Sequence, residues 1–274
     1  MKTETSPLSR WMAHRMATIH DGKTDYKTGR NDVSILSYFF IPEMTADNES
    51  AAFRDVQCAI RETWLNCGLM PTIVVANRPM DCLEMFASEF APHVGIQIEP
   101  SLVPGRIFSM SRDCNGKLAA RFKTDYVLIV QNDGFPLRPG LDDFVGKYDF
   151  IGAPYVRNIW YNRLICRVLG CWVSNGGFSL RSREICEKAA YYWEKKYKNL
   201  PESTRLSEDL FYTKELPLRY AAFRRSVKIA PPPRALAFSF DTAAGATSFP
   251  GQKLPFGFHG EGAFELLSER FKLV

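Results

Sequence analysis

Two short polar segments have the residue types that would bind a phosphorylated ligand. The first is Gln131-Asn132-Asp133-Gly134, which directly follows an apolar run. A carboxylate there could hold a divalent cation that bridges a diphosphate, because hard cations prefer oxygen ligands. The second is Asn175-Gly176-Gly177, where paired glycines permit close backbone approach to a ligand. Both segments are also typical of ordinary turns, so neither identifies a function by itself.

An acidic pair and a histidine further along the chain have types suited to proton transfer. Glu208 and Asp209 follow Ser207 at the start of a predicted helix, where one carboxylate could act as a general base beside a second acid. The alternative is that they stabilise the helix N-terminus through its dipole. His259 lies between glycines and aromatic residues and could contact a metal or a phosphate, although a lone histidine is more often structural.

Strands and helices alternate through the first half of the chain and would position these residues. Apolar runs rich in β-branched residues predict buried strands at 33–41, 72–76, 94–98 and 126–130. Helical apolar spacing predicts helices at 48–67, 80–90 and 107–121. This order predicts an α/β fold with a mainly parallel sheet covered by helices on both faces. The turn at 131–134 would then lie outside the carboxyl end of a strand, where ligands bind in such sheets.

The second half of the chain is less regular. A short helix is predicted at 141–145, and residues 149–151 lead into Gly152-Ala153-Pro154. Two helices begin at Ser182 and Ser207 and run to about 198 and 216. After the three prolines at 231–233, mostly loop and short strand are predicted. With no linker or repeat, we expect an N-terminal tail or short helix (1–31) and one domain (32–274). That domain would have a nucleotide-binding half (32–140) and an acceptor half (141–274).

The order of the four polar pieces resembles glycosyltransferases of the GT-A fold. More closely, the chain resembles a little-characterised group of glycosyltransferases with Gln-x-Asp, Tyr-Asp-x-Ile-Gly-Ala-Pro, Asn-Gly-Gly-x-Ser-Leu-Arg-Ser and Glu-Asp-x-Phe motifs. These motifs lie here at 131–133, 148–154, 175–182 and 208–211. The resemblance covers roughly 33–259 and is most specific at 126–183. It implies a GT-A-like single domain with a Rossmann-like, mainly parallel central sheet flanked by helices.

The resemblance also implies a site for the diphosphate of a nucleotide-sugar donor. Asp133 matches the last acid of the Asp-x-Asp turn that binds a divalent metal, Mn2+ or Mg2+, in GT-A enzymes. His259 matches the C-terminal histidine that often completes this site. The first acid of the turn is replaced here by Gln131, a neutral amide that adds no charge to a metal site. The requirement for a metal therefore stays open.

Further donor contacts follow from the same resemblance. The ends of the first two strands would frame the base and ribose, and a segment before the fourth strand would bring basic residues to the nucleotide-sugar. One of them, Arg112, has the alternative of being a surface arginine. The implied donor-binding residues are Pro42, Glu43, Asn77, Arg78, Arg112, Lys117, Gln131, Asn132, Asp133, Asn175, Gly176 and Gly177.

The acidic pair is the implied catalytic element. By the resemblance, Asp209 takes the proton from the acceptor hydroxyl and Glu208 orients the acceptor sugar. A desolvated carboxylate beside another acid has a raised pKa, which suits a base near neutrality. An inverting transferase is the expected function. A retaining transferase on the same fold and a non-catalytic sugar- or nucleotide-binding module are the alternatives, and Gln131 favours the last.

Composition limits the partners and the compartment. The 274 residues are 46% hydrophobic and 24% charged, which excludes a disordered chain. Seven cysteines without a CxxC pair favour a reducing compartment, so a cytoplasmic protein is expected. The net charge of +5 suits an anionic donor and does not indicate nucleic-acid binding.

The acceptor is expected to be a hydroxyl of a glycan, of a lipid-linked molecule or of another compound. No apolar run reaches the roughly 18 residues that span a bilayer. A basic helix around Trp11 could touch the inner face of a membrane, although a frayed tail or a helix packed on the body is the preferred interpretation.

Overall fold

The computed structural model describes most of the chain. The described residues are 6–18, 24–27, 29–40, 46–101, 107–154, 174–200, 206–242 and 247–273. Everything below refers to these residues.

A six-stranded sheet forms the centre of the molecule. Its strands are β1 (Val33–Phe39), β2 (Thr72–Ala76), β3 (Ile96–Pro100), β4 (Tyr126–Ile129), β5 (Phe150–Pro154) and β6 (Ser174–Ser182). Their order is β3-β2-β1-β4-β6-β5, with β1 to β4 parallel and β6 antiparallel to both of its neighbours. A second, two-stranded parallel sheet pairs β7 (Ser239–Asp241) with β8 (Gly257–His259). The predicted mainly parallel α/β sheet is confirmed.

Helices cover both faces of the sheet. They are α1 (Pro7–Thr18), α2 (Ala46–Cys67), α3 (Asp81–Phe90), α4 (Ile107–Gly116), α5 (Leu118–Arg121), α6 (Arg183–Tyr192), α7 (Glu208–Leu210), α8 (Ala221–Ser226), α9 (Pro232–Phe238) and α10 (Glu261–Phe271). A π-helical turn, Trp193–Tyr197, extends α6, and another, Phe211–Glu215, continues α7 into Leu216–Arg219. One apolar core includes side chains of α1, α2, α3 and α10, and the other includes side chains of α4, α5, α6, α8 and the π-helical turn Phe211–Glu215.

Several predicted boundaries differ from the structure. The third strand lies at 96–100 rather than 94–98, and the helix predicted at 107–121 is interrupted at Lys117. The glycine segment is not a turn between strands, because 174–182 forms one fully buried strand. The prediction of loop and short strand after 231–233 is wrong, since α9 and α10 follow. Alanine and aromatic positions in α10 had the helical spacing, with Ala263, Phe264 and Leu267 buried.

The N-terminal helix packs on the body of the protein. Leu8 and Met12 of α1 are buried, and the Trp11 ring stacks on Phe135 at 5.9 Å between centroids. The Trp11 indole N–H also donates to the carbonyl of Leu273 at 3.2 Å. The apolar side of this helix is therefore occupied by contacts within the chain. Among the described helices, none has both the length and the hydropathy of a membrane span.

The described cysteines form no disulfide. Cys58 and Cys186 are buried in the apolar cores.

Candidate active site

The turn at 131–134 lies at the point where the order of the parallel strands reverses. From β1 the chain continues to β2 and β3 on one side, and β4 then adds to the other side of β1. The turn directly follows β4 and is closed by reciprocal backbone hydrogen bonds between Gln131 and Gly134, both 3.0 Å. Asn132 is exposed and Asp133 half-buried. The crevice outside such a switch point is where α/β sheets bind ligands, because no connection covers it.

His259, the last residue of β8, lies beside this turn. Its Nδ1 lies 3.1 Å from the carboxylate of Asp241, and its Nε2 lies 3.2 Å from Oε1 of Gln131. Oδ1 of Asp133 is 3.7 Å from the same Nε2. The backbone N–H of Gly260 donates to the Asp133 carbonyl at 2.6 Å, which ties the turn to the end of β8. Residues 128 positions apart in the chain thus form one cluster.

The surroundings of His259 favour its protonated form. Burial by itself would lower the pKa of the imidazole, but the hydrogen bond to Asp241 and the charges of Asp133, Asp241 and Glu208 raise it above its usual value. Because a carboxylate only accepts, Nδ1 donates to Asp241 in either protonation state. Nε2 then either donates to Gln131 or, in the neutral ring, presents a lone pair toward Gln131 and Asp133.

The Asn175-Gly176-Gly177 segment joins this cluster from β6. The Asn175 amide donates to Asp241 at 2.6 Å, and its Oδ1 accepts from the Gly177 N–H at 2.7 Å. A methyl group added at Gly177 would lie only 2.0 Å from Nε2 of His259. Glycine is therefore required at 177 because the imidazole occupies the space of a side chain.

The acidic pair lies beside the other glycine. A methyl group added at Gly176 would lie 2.7 Å from Oε1 of Glu208 and 3.3 Å from Cβ of Asp209. The pairing of β6 with β5 is irregular across this segment, and the two glycines meet different groups, the acids at Gly176 and His259 at Gly177. The last β4 partner in this strand pair is Ile129, opposite Ser179, so the two glycines extend beyond the end of β4. Only glycine separates the two clusters at this edge.

Glu208 is a buried acid with a specific partner. It is 6% exposed, and its Oε2 accepts from the hydroxyl of Ser111 on α4 at 2.8 Å. Burial and the neighbouring charge of Asp209 raise the pKa of Glu208, while Arg181 and the Ser111 hydrogen bond oppose this rise. The Ser207 side chain makes no capping hydrogen bond at this helix start. Ser207 is therefore not the cap of this helix start, and stabilisation of the helix N-terminus by the two acids stays the alternative to a catalytic role.

Asp209 is buried to the same degree as Glu208. It is 7% exposed, its Oδ1 accepts from the N–H of Leu210 at 2.6 Å, and its carbonyl accepts from the Thr213 hydroxyl. The acid of this pair whose pKa is raised by burial and by its neighbour is Glu208.

Other predicted donor contacts lie elsewhere or outside the described residues. Arg112 donates to the carbonyl of Leu200 at 2.9 Å rather than facing the cluster. Lys117 is exposed at the far end of α4, beside Glu194. The reason is direction, since α4 runs back from the carboxyl edge of the sheet and only its first half faces the site.

The predicted base and ribose contacts have mixed positions. Asn77 and Arg78 directly follow β2, and Arg78 forms an ion pair with Glu49 of α2. Pro42 and Glu43 lie outside the described residues.

Three residues that contact His259 or the acidic pair were not identified from the sequence. Asp241 ends a short run in which aromatic and polar residues alternate, but nothing local marks it as a partner of His259. Ser111 lies in a segment that drew attention only for its basic residues. Arg181 belongs to the Asn-Gly-Gly-x-Ser-Leu-Arg-Ser motif, and no role was expected for it.

Within the described part of the chain, no three His, Cys, Asp or Glu side chains form a group that could hold a metal ion. Asp241 is on the Nδ1 side of His259 and Asp133 on the Nε2 side, so these carboxylates face different atoms of the ring. The ligands available on one side are Asp133, His259 and the neutral amide of Gln131.

A family model described as "Protein of unknown function (DUF5672)" matches residues 114–259, just over half of the chain. This range includes the turn at 131–134, the glycine segment, the acidic pair and His259. Among curated proteins, none matches the chain.

Several solved structures are distantly similar. Core-mannan synthase A (CmsA/Ktr4) from Aspergillus fumigatus, in an Mn/GDP form, is 10% identical over 76% of this chain and 74% of its own, with a TM-score of 0.42. The mannosyltransferase Ktr4p from S. cerevisiae in complex with GDP is 10% identical over 98% and 93%, with a TM-score of 0.43. The glycosyltransferase GlyE of Streptococcus pneumoniae is 15% identical over 84% of this chain and 55% of its own, with a TM-score of 0.47. At these identities and TM-scores, the function proposed below rests on this chain's own residues.

Proposed function

The chain belongs to the family of proteins of unknown function DUF5672, and from its site we propose that it is a glycosyltransferase that uses a nucleotide-sugar donor. The observation that carries this proposal is the pair of glycines at 176 and 177. They let Glu208 and Asp209 approach β6 at Gly176 and His259, with Asp133 beside it, approach at Gly177. A sugar transfer needs a base for the acceptor and a group that holds the departing diphosphate, and the two sets of residues have these types.

The proposed reaction is a single displacement with inversion. The carboxylate of Asp209 takes the proton from an acceptor hydroxyl, and the oxygen forms a bond to the anomeric carbon of the donor sugar. The bond from that carbon to the diphosphate oxygen breaks, and the nucleoside diphosphate leaves with the electron pair. Glu208, held by Ser111, orients the acceptor sugar.

His259 would stabilise the leaving diphosphate. In the protonated ring, the Nε2–H is available to a phosphate oxygen while the Nδ1–H stays on Asp241. A charge-assisted hydrogen bond of this kind is stronger than one between neutral groups. Asn132, exposed at the tip of the turn, and the backbone of Gly176 and Gly177 complete the proposed donor wall.

A divalent cation fits this site only as a partner of the diphosphate. In place of the phosphate hydrogen bond, the neutral ring of His259 would hold it through Nε2 together with Asp133 and Gln131, and a carboxylate behind the imidazole is the usual way to orient such a ligand. A cation with so few protein ligands takes its remaining ligands from substrate phosphates and water, as Mg2+ commonly does. When bound, Mn2+ or Mg2+ would offset the charge on the leaving group.

The replacement Asp209→Asn tests the base directly. We expect sugar transfer to fall by about 10²–10⁴-fold, because general-base catalysis is lost. Donor binding should stay near that of the unchanged protein, since the carboxylate faces the acceptor. Glu265→Gln, an exposed replacement on α10, is the matched control and should leave transfer unchanged. Full activity of Asp209→Asn would exclude the base assignment.

Thermal unfolding with nucleoside diphosphates and their sugars, with and without Mn2+, identifies the donor. A ligand that binds only the folded state raises the unfolding temperature. Gln131 in place of an acid favours one second candidate, a non-catalytic binding module. That candidate predicts binding of a nucleotide-sugar without transfer or hydrolysis. The anomeric configuration of the product, read by NMR, separates inverting from retaining transfer.

A further inference from the structure

Arg181 is the buried cation nearest to the acidic pair. It lies on β6, is fully buried, and donates through Nη2 to the carbonyl of Gly176 at 3.2 Å and through Nε to the hydroxyl of Ser179 at 3.1 Å. Its guanidinium lies over the rings of Phe150 at 5.1 Å and Tyr212 at 4.8 Å. These contacts fix the guanidinium in one orientation beside Gly176.

The same guanidinium lies next to Glu208. A methyl group added at Gly176 would lie 2.7 Å both from Nη2 of Arg181 and from Oε1 of Glu208, so both groups line one small space. Nη1 of Arg181 is buried and has no hydrogen-bond partner in the described structure. A buried guanidinium with an unused donor is costly unless a charge nearby compensates it. The carboxylates of Glu208 and Asp209 supply that charge.

We propose that Arg181 is a positioning residue that keeps the Glu208–Asp209 pair ionised and holds the Gly176 carbonyl beside it. Two adjacent buried carboxylates repel each other, and one of them would take up a proton without a cation close by. The charge of Arg181 therefore allows Asp209 to act as a base while Glu208 remains an acceptor for the Ser111 hydroxyl. The catalytic part of this inference rests on the proposed function, and the electrostatic part does not.

The groups that act on Glu208 come from four elements. Asp209 is on its own helix, Arg181 on β6, Cys114 on α4 and His259 at the end of β8. Arg181 is the cation of this set whose charge is independent of pH. Burial and the charge of Asp209 raise the pKa of Glu208, and Arg181 limits that rise. Loss of Arg181 should raise it further.

A double-mutant cycle on stability tests the charge pairing without any substrate. Arg181→Met leaves the acids uncompensated, so we expect its unfolding temperature to fall by roughly 5–10 °C. Glu208→Gln removes the repelling charge, so the double variant should regain a substantial part of that loss. Ser179→Ala removes one hydrogen-bond acceptor of Arg181 but no charge, and Glu208→Gln should not rescue it. Additive losses in Arg181→Met/Glu208→Gln would overturn the proposal.

The pH dependence gives a second readout. An acid whose folded pKa is raised costs stability that grows as pH rises from its unfolded to its folded pKa, and the cost disappears below both values. The deficit of Arg181→Met should therefore be larger at about pH 8 than at about pH 5. Arg181→Lys keeps the cation and should show the pH dependence of the unchanged protein. Recovery of the unfolding temperature of Arg181→Met by Glu208→Gln would support the pairing. A stability–pH profile of Arg181→Lys that matches that of Arg181→Met would contradict it.

Transfer kinetics then connect the pair to catalysis. We expect the acidic limb of the kcat profile to move to higher pH in Arg181→Gln and to stay in place in Arg181→Lys. If the double-mutant cycle shows coupling but no variant, including the unchanged protein, transfers sugar, the charge pairing is supported and the proposed function is rejected. A coupled cycle with an unshifted limb in an active enzyme would reject the catalytic role of Arg181.

Discussion

At the scale of single residues, the site depends on side chains that hold other side chains. Asp241 illustrates this, because it is buried and accepts hydrogen bonds from both Asn175 and His259. It fixes the imidazole with Nε2 toward the turn at 131–134. Arg181 has the corresponding position on the acid side of β6. Neither residue has to contact a substrate to decide what the reactive groups can do.

Replacement of Asp241 by Asn tests its effect on His259. The hydrogen bond to Asp241 and its charge both raise the pKa of His259, so Asp241→Asn should lower that pKa. NMR titration of the imidazole signals measures it directly, since the chain has four histidines and His259→Gln identifies the relevant signal. Asp142→Asn, at an exposed acid, is the control and should leave the titration unchanged. An unchanged or higher pKa in Asp241→Asn would contradict this account.

At the scale of elements, β6 is the strand that brings the two clusters together. Its nine residues are all buried, and the two glycines near its start take the place of side chains that would collide with neighbours. The strand is antiparallel to β4, so its N-terminal end lies at the carboxyl edge of the parallel strands. This reversal places residues 175–177 beside Gln131 and Asp133.

The replacement Gly177→Ala tests this close approach. The added methyl group would lie 2.0 Å from Nε2 of His259, so the imidazole or the strand must move. We expect a loss of about 1–3 kcal/mol in the free energy of unfolding, as for overpacked cores, and weaker donor binding. Urea unfolding measures the loss, with Gly95→Ala as control because nothing lies within 4 Å of its added methyl group. Equal stability of the two variants would show that the imidazole is not held where the structure has it.

At the scale of the whole molecule, the first and last described helices, α1 and α10, meet behind the site. Trp11 of α1 contacts Phe135, which follows the turn, and Phe264 of α10 at 5.3 Å between centroids. Phe135 contacts Phe258, the neighbour of His259, at 4.8 Å. The N-terminal helix, the turn and the C-terminal strand thus share one aromatic cluster, so residues near both chain ends support the position of His259.

The replacement Trp11→Ala should weaken this support. Loss of the ring contacts and of the hydrogen bond to Leu273 should cost about 2–3 kcal/mol of unfolding free energy, less than for a fully buried tryptophan because Trp11 is half-buried. Chemical denaturation gives the value. Met85→Ala, at a side chain that is 72% exposed, should change stability by less than about 0.5 kcal/mol. A similarly small effect of Trp11→Ala would mean that α1 is not part of the core.

The sequence by itself determined the parallel strands of the central sheet and the positions of the polar segments, but it did not predict the strands β5 and β6. Apolar runs predicted β1, β2 and β4 to within two residues, because a strand buried on both faces needs continuous hydrophobicity. Turn and glycine chemistry marked Gln131 to Gly134 and Asn175 to Gly177 for the same local reason. The helical spacing of buried residues in α10 is also a local signal, and the prediction of loop there was wrong.

Only the tertiary structure decided which side chains act together. Asp241 is 66 residues from Asn175, and Ser111 is 97 residues from Glu208, so no local periodicity relates them. The antiparallel direction of β6 and the backward course of α4 decide that Ser111 faces the site while Lys117 is remote. Burial then decides the charge balance, because Arg181 and Glu208 influence each other strongly only where water is excluded.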